Sequence, residues 1–166
     1  MNIQAAIKYI EDFRPIHSSQ DALHQAAWIL LRTMRGQPYQ TVKCPIFWLF
    51  GNTGAGKTTL GKTMAAKLDA FHLDGDDMQR ELSMFDMSPQ GRRDRCLLTA
   101  ERAKNLAGLR PVVVSMITPY EDLRQEIQAI TGAFFIYLPY GAPSSMKNPF
   151  EAPVLEHLVY QRGEQE

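Results

Sequence analysis

The sequence predicts an α/β fold three layers deep. Helices lie on both faces of a mostly parallel sheet of four or five strands, and a helical extension precedes it. Three observations carry this prediction. The stretch "FWLFGNTGAGKTTL", residues 47–60, takes an apolar run into a glycine-rich loop and straight on into a helical pattern. From Pro45 onward, short apolar runs alternate with helical periodicity. The runs are apolar throughout rather than at every second residue, as expected of parallel strands buried on both faces. A strand, a glycine loop ending in Lys-Thr and a helix together define the P-loop NTPase type.

In chain order, residues 3–13 place Ile3, Ile7 and Ile10 at helical spacing. A second helix is expected from Ser19 to Arg35, with Leu23, Ala26, Ala27, Leu30 and Leu31 along one face and Gly36 at its end. "GQPYQTVKCP" reads as a linker. Residues 1–40 therefore form an extension whose apolar stripes pack on the core or on a second subunit, the latter making a homodimer. Residues 41–166 form the P-loop domain.

Within that domain IFWLF is the first strand, with Phe47, Trp48 and Phe50 in the core, and a helix spans Lys57 to Leu68. "AFHLD" is a second strand, followed by a short helix around Asp77–Leu82 and a longer one from Ser88 to Gly108. "PVVVSMI" is the third strand, Pro119–Thr131 a helix, "AFFIYL" the fourth strand and "LEHLVY" a fifth. Ligands of such a sheet gather at the carboxyl ends of its strands.

Composition narrows the function. The 166 residues are 45% apolar and 22% charged, as in an ordinary globular protein. Eighteen basic residues balance eighteen acidic ones, so no global basic field draws in nucleic acid. The N-terminus carries early acids and no apolar h-region, and no apolar run approaches the ~20 residues of a membrane span. Cys44 and Cys96 form no spaced pair for zinc or redox chemistry, and the four histidines are scattered. A cytoplasmic protein without nucleic-acid or membrane partners is expected.

The loop Gly51, Asn52, Thr53, Gly54, Ala55, Gly56, Lys57, Thr58, with Thr59 behind it, matches G-x-x-x-x-G-K-[S/T] and is expected to hold the phosphates of ATP. Its glycines let main-chain N–H groups close on a phosphate, and the helix that begins at Lys57 adds its positive end. Lys57 is expected to reach the β- and γ-phosphates, and the Thr58 hydroxyl to bind Mg²⁺. A kinase also needs a carboxylate at the metal and a group to orient the nucleophile. "LDGDD" supplies both at the end of the second strand. Asp74 is assigned to Mg²⁺ or its waters, Asp76 to the acceptor's hydroxyl proton and Asp77 to the cap of the next helix. The competing reading is a turn with no chemistry.

GNTGAGKTT, LDGDD, VSMITPYEDLRQE and NPFEAP, in that order, resemble the adenylylsulfate kinases, whose signatures run GLSGAGKST, LDGDN, SFISPY and PYEAP. The resemblance covers residues 45–160. It implies an ATP- and Mg²⁺-dependent kinase acting on a hydroxyl of a small molecule; in that family the acceptor is the 3′-hydroxyl of adenylylsulfate.

The departures fall on the acceptor side. Gln79 stands where the family has an acceptor-holding arginine, with Arg80 next to it. Arg92 keeps one family arginine, Arg95 replaces an asparagine, and Leu97 and Leu98 replace an arginine pair. The family's long basic lid is missing, and "FIYLPY" passes through "GAPSSMK" to "NPFEAP". An acceptor other than adenylylsulfate is expected, small and anionic or nucleotide-linked, such as a cytidine diphosphate-linked compound. Adenylylsulfate itself and a non-catalytic nucleotide-binding regulatory or assembly module are the alternatives.

Candidate acceptor contacts are Arg92 and Arg95, sharing a helix face with Arg102, and Ser115, Ile117 and Tyr120 at the end of the third strand. The arginines could instead form a solvated face paired with Asp94 or Glu101, and Ser115 could be a buried serine satisfied by main chain. "PYGAPSSMKN" is either a short mobile lid whose Lys147 reaches phosphate or a plain surface connection. So short a lid would shield the site poorly, and some ATP hydrolysis without acceptor is expected.

Overall fold

The computed structural model describes residues 44–162. The two N-terminal helices and most of the linker expected from the sequence lie outside the described residues. One compact unit spans Lys43–Val159.

This unit is an α/β domain of the P-loop NTPase type. Its strands are β1 (Ile46–Phe50), β2 (Phe71–Asp74), β3 (Val112–Ser115), β4 (Phe134–Tyr137) and β5 (Leu158–Val159). They form one sheet in the order β2-β3-β1-β4-β5, and every pair is parallel. The helices are α1 (Lys57–Leu68), α2 (Gly75–Glu81), α3 (Pro89–Leu106) and α4 (Glu121–Thr131). All five residues of β1 and all four of β3 are buried, so both faces of the sheet are covered. Trp48, Leu49 and Phe50 are fully enclosed, as are Val112, Val113 and Val114.

Local sequence accounts for most of the boundaries. Pro45 precedes β1, and its carbonyl accepts from the Val112 N–H at 2.9 Å, starting the β1–β3 pairing. Ser88 caps α3 by accepting from the Gly91 N–H at 3.1 Å, and Pro89 occupies the first turn, where its missing N–H costs nothing. α4 stops at Gly132, whose φ is 65°.

Two expectations are corrected. The helix expected over Pro119–Thr131 starts at Glu121, because Tyr120 is extended. The short helix starts at Gly75 rather than near Asp77, and its cap is Asp74, not Asp77. The extended Asp74 places its Oδ1 3.0 Å from the Asp76 N–H, a hydrogen bond that Asp77, inside the first turn, cannot make.

A fully buried arginine ties the end of the sheet together. Arg124 donates to the carbonyls of Thr118 at 2.9 Å and Glu151 at 2.9 Å, and pairs with the Glu121 carboxylate at 2.8 Å. Its guanidinium lies 5.2 Å from the ring centres of both Phe50 and Phe150. Glu121 in turn accepts from the N–H groups of Val154 and Leu155, and those bonds with Arg124 hold its carboxyl below the usual range, although burial alone would push it up. This cluster draws the 150–155 segment against the start of α4.

Candidate active site

Loops at the carboxyl ends of β1, β2 and β3 enclose a cleft of about 370 Å³. The glycine loop supplies Thr53, Gly54, Gly56, Lys57 and Thr58; the end of β2 supplies Asp74 and Asp76; α3 supplies Arg92 and Arg95; the end of β3 supplies Ser115 and Ile117. Most of the residues singled out from the sequence therefore meet in one place. Gly51, Asn52, Ala55 and Thr59 shape the loop and the first turn of α1 without lining the cleft.

The helix end is prepared for an anion. Gly56, at φ 89°, occupies the cap position of α1, and no side chain caps this N-terminus. Its first N–H groups are thus left to whatever enters the cleft. Lys57 Nζ donates to the carbonyls of Asn52 at 2.7 Å and Gly51 at 3.0 Å, which hold it across the loop. Burial lowers its pKa to about 8, against the opposing pull of Asp74 and Asp76.

The Thr58 hydroxyl donates to Asp74 Oδ2 at 2.6 Å, joining the glycine loop to the end of β2. Asp74 is buried, while Asp76 is exposed to the cleft. A hydroxyl beside a carboxylate is the oxygen-only donor pair that Mg²⁺ takes together with waters and substrate phosphates. Among the described residues no cluster of three or more His, Cys, Asp or Glu forms a site for any other metal.

The arginines differ from the expected basic face. Arg92 and Arg95 are buried, 5% and 8% exposed, whereas Arg102 pairs with Glu81 on the surface. Nor do Arg92 and Arg95 form the solvated alternative, since both are buried and neither pairs with Asp94 or Glu101. Arg92 donates to the carbonyls of Met87 at 2.9 Å and Lys147 at 3.1 Å, and Arg95 to that of Met84 at 3.0 Å. Among the described residues neither has a carboxylate within ion-pair distance. Each guanidinium is thus held by main chain and keeps further N–H groups for the cleft.

Ser115 donates to the Lys57 carbonyl at 3.0 Å and lies 2.9 Å from His72 Nε2. Tyr120 does not line the cleft; its ring faces the Arg93 guanidinium at 5.8 Å, over a shallower depression. The 141–149 segment is pinned at both ends, by the Ala142 N–H on the Thr53 carbonyl at 2.9 Å and by Arg92 on Lys147. The Lys147 side chain is exposed.

The sequence reading passed over Met87, Cys96, Met116 and Thr118 in the cleft wall, and treated Gln79 only as a departure. Cys96 was recoverable, since it follows Arg92 by four residues and Arg95 by one on α3. Burial pushes its thiol up to about 12, so it is inert. Thr118 was not recoverable. Its φ of 45° and its bond from Trp48 Nε1 at 2.7 Å come from tertiary packing.

Comparison with known proteins places these features in a family. The adenylylsulphate kinase family pattern matches residues 43–146, more than half of the chain. The chain is 34% identical over 97 residues to the cytidine diphosphoramidate kinase of Campylobacter jejuni subsp. jejuni serotype O:2, covering 54% of this chain and 53% of that protein. It is 33% identical over 91 residues to the adenylyl-sulfate kinase of Burkholderia ambifaria, covering 51% and 50%. The chain thus spans about half the length of the curated relatives it matches. The fold is shared with the Mycobacterium tuberculosis APS kinase CysC, solved with AMPPNP and APS, at a TM-score of 0.51 and 23% identity, over 59% of this chain and 64% of that one. Among the described residues no helix is long and apolar enough to cross a membrane. With its phosphate loop, its Thr58–Asp74 link and the extent of the pattern match, the chain belongs to the adenylylsulphate kinase family.

Proposed function

We propose that the protein is an ATP- and Mg²⁺-dependent kinase that transfers the γ-phosphoryl group to a hydroxyl of a small anionic or nucleotide-linked metabolite. The observation that carries the acceptor class is the pair Arg92 and Arg95. Buried cations are costly unless something of opposite charge meets them. Among the described residues their hydrogen bonds go to main-chain carbonyls, the Asp86 carboxylate beside Arg95 stays beyond ion-pair distance, and both open onto the cleft that contains Lys57, Thr58, Asp74 and Asp76. A phosphate or sulfate on the acceptor supplies the missing charge.

On this reading the N–H groups of the glycine loop and the Lys57 ammonium bind the β- and γ-phosphates. Mg²⁺, held by Thr58 and Asp74, would neutralise charge between them. Arg92 and Arg95 fix the acceptor by its anionic group, and Asp76 takes the proton of its hydroxyl. The hydroxyl oxygen bonds to the γ-phosphorus as the bond to the β–γ bridging oxygen breaks, and ADP leaves. Likeness to a cytidine diphosphoramidate kinase supports a cytidine diphosphate-linked acceptor. Likeness to adenylyl-sulfate kinases keeps adenylylsulfate as the alternative.

The test is transfer from γ-labelled ATP to adenylylsulfate and to a panel of cytidine diphosphate derivatives. Labelling of a cytidine compound and not of adenylylsulfate is expected. Asp76→Asn should lower transfer by about 10²- to 10⁴-fold while ATP still binds. ATP binding with no transfer to any acceptor would favour a regulatory module, and undiminished transfer by Asp76→Asn would remove Asp76 from the role of base.

A further inference from the structure

Ser115 sits in the cleft wall, yet its hydroxyl is already committed. It donates to the Lys57 carbonyl at 3.0 Å, and a carbonyl can only accept. The contact with His72 Nε2 at 2.9 Å must therefore be a bond donated by the imidazole. The chain of bonds runs from His72 through Ser115 to the main chain of Lys57.

Two features give this chain its consequence. Ser115 on β3 pairs in register with Asp74 on β2, and Asp74 holds the Thr58 hydroxyl. Consecutive residues in the first turn of α1 are thus tied to neighbouring strands, Lys57 by its carbonyl to β3 and Thr58 by its side chain to β2. One turn further on, Gly61 is buried against the same pair. A Cβ built there would lie 2.2 Å from Ser115 Oγ and 2.5 Å from His72 Nε2, so α1 rests directly on these two groups.

We infer that His72 and Ser115 are positioning residues of the phosphate site: their hydrogen-bond chain fixes the first turn of α1, and with it the Lys57 ammonium and the loop N–H groups, against Asp74. This moves Ser115 from the acceptor side to the ATP side, and it rests on the reading of the glycine loop as an ATP site given above.

The test is titration calorimetry with a non-hydrolysable ATP analogue and Mg²⁺ in the absence of acceptor, followed by KM for ATP and for acceptor in the transfer assay. The variants are Ser115→Ala, His72→Leu and His72→Gln, with folding checked by thermal melts. Ser115→Ala and His72→Leu should weaken analogue binding about three- to tenfold, the effect of one lost hydrogen bond, and leave the acceptor KM in place. His72→Gln keeps an N–H donor and should recover most of that loss. If Ser115→Ala fails to fold, the two His72 variants still decide the matter. Equal weakening by Leu and Gln would show packing rather than a hydrogen bond and overturn the inference. So would a rise in acceptor KM alone for Ser115→Ala. Absence of analogue binding by the unaltered protein would overturn the ATP reading itself and the inference with it.

Discussion

Lys57 offers a quantitative handle on the phosphate site through pH. In the nucleotide-free fold its pKa lies at about 8, because burial removes water from the ammonium faster than Asp74 and Asp76 replace it. A phosphate bound beside the ammonium returns the pKa toward or above the ordinary 10.5. At pH 7 the free protein is already about ten-to-one protonated at Lys57 and binds the nucleotide without taking up a proton. At pH 9 it is about one-to-ten protonated, and binding must first recharge the lysine. The association constant for an ATP analogue should therefore fall about tenfold from pH 7 to pH 9, with nearly one proton taken up per nucleotide at the higher pH. Calorimetry in two buffers of different ionisation enthalpy reads both quantities. Lys57→Arg, charged throughout this range, should show neither. A flat affinity with no proton uptake would refute the idea that Lys57 is desolvated and meets the phosphates.

The same lowered value bears on stability. The unfolded chain holds this proton more tightly than the fold, so Lys57 opposes folding below pH 8, and the penalty fades as the pH rises from 8 to 10.5. The gap corresponds to roughly 3 kcal/mol at most. Lys57→Met should accordingly raise the Tm of the nucleotide-free protein at pH 7 while abolishing transfer, and a lowered Tm would count against the desolvation account.

Gly61→Ala tests the seat of α1. Helix propensity favours alanine by about 1 kcal/mol, but its Cβ would meet Ser115 Oγ and His72 Nε2, neither of which is a free side-chain end. A net loss of about 1–2 kcal/mol in denaturant melts is expected, together with weaker nucleotide binding. Arg124→Met keeps the volume but removes the ion pair with Glu121 and the donor to the Thr118 and Glu151 carbonyls, so a loss of about 3–5 kcal/mol is expected in the same melts. At pH 8 a thiol reagent should leave Cys96 unmodified in the folded protein and reach it only on unfolding, since its thiol is buried and held up to about 12.

What the sequence revealed and what it concealed divide along a physical line. The glycine loop was legible because its pattern is carried by eight consecutive residues between a strand and a helix. The strands were legible because parallel strands buried on both faces are apolar throughout, as in IFWLF and VVVS. Asp74 was placed correctly at the end of β2, yet its second task, capping α2 in place of Asp77, depends on where that helix begins. A helix start shifted by two residues changes the cap. Helical spacing put Arg92 and Arg95 on one face, but their burial depends on carbonyls of Met84, Met87 and Lys147, the last fifty-five positions from Arg92. No local pattern encodes such partners. Ser115 and His72 are likewise forty-three positions apart and meet only because β2 and β3 are neighbours in the sheet.

This division also describes how the cleft is built. On the side of the glycine loop, main-chain groups and the strand ends hold the parts together, with Lys57 on the loop carbonyls and Thr58 on Asp74. On the side where the acceptor is proposed to bind, two buried guanidinium groups grip irregular segments, residues 84–87 from one direction and the 141–149 segment from the other. Arg92 spans both, and that same segment also reaches the glycine loop through Ala142 and Thr53. An anion that draws on the remaining N–H groups of Arg92 therefore acts on a group already bonded to both of these segments. The side chains of those segments can change while the bonds that hold the arginines stay the same, because every residue offers a main-chain carbonyl whatever its side chain.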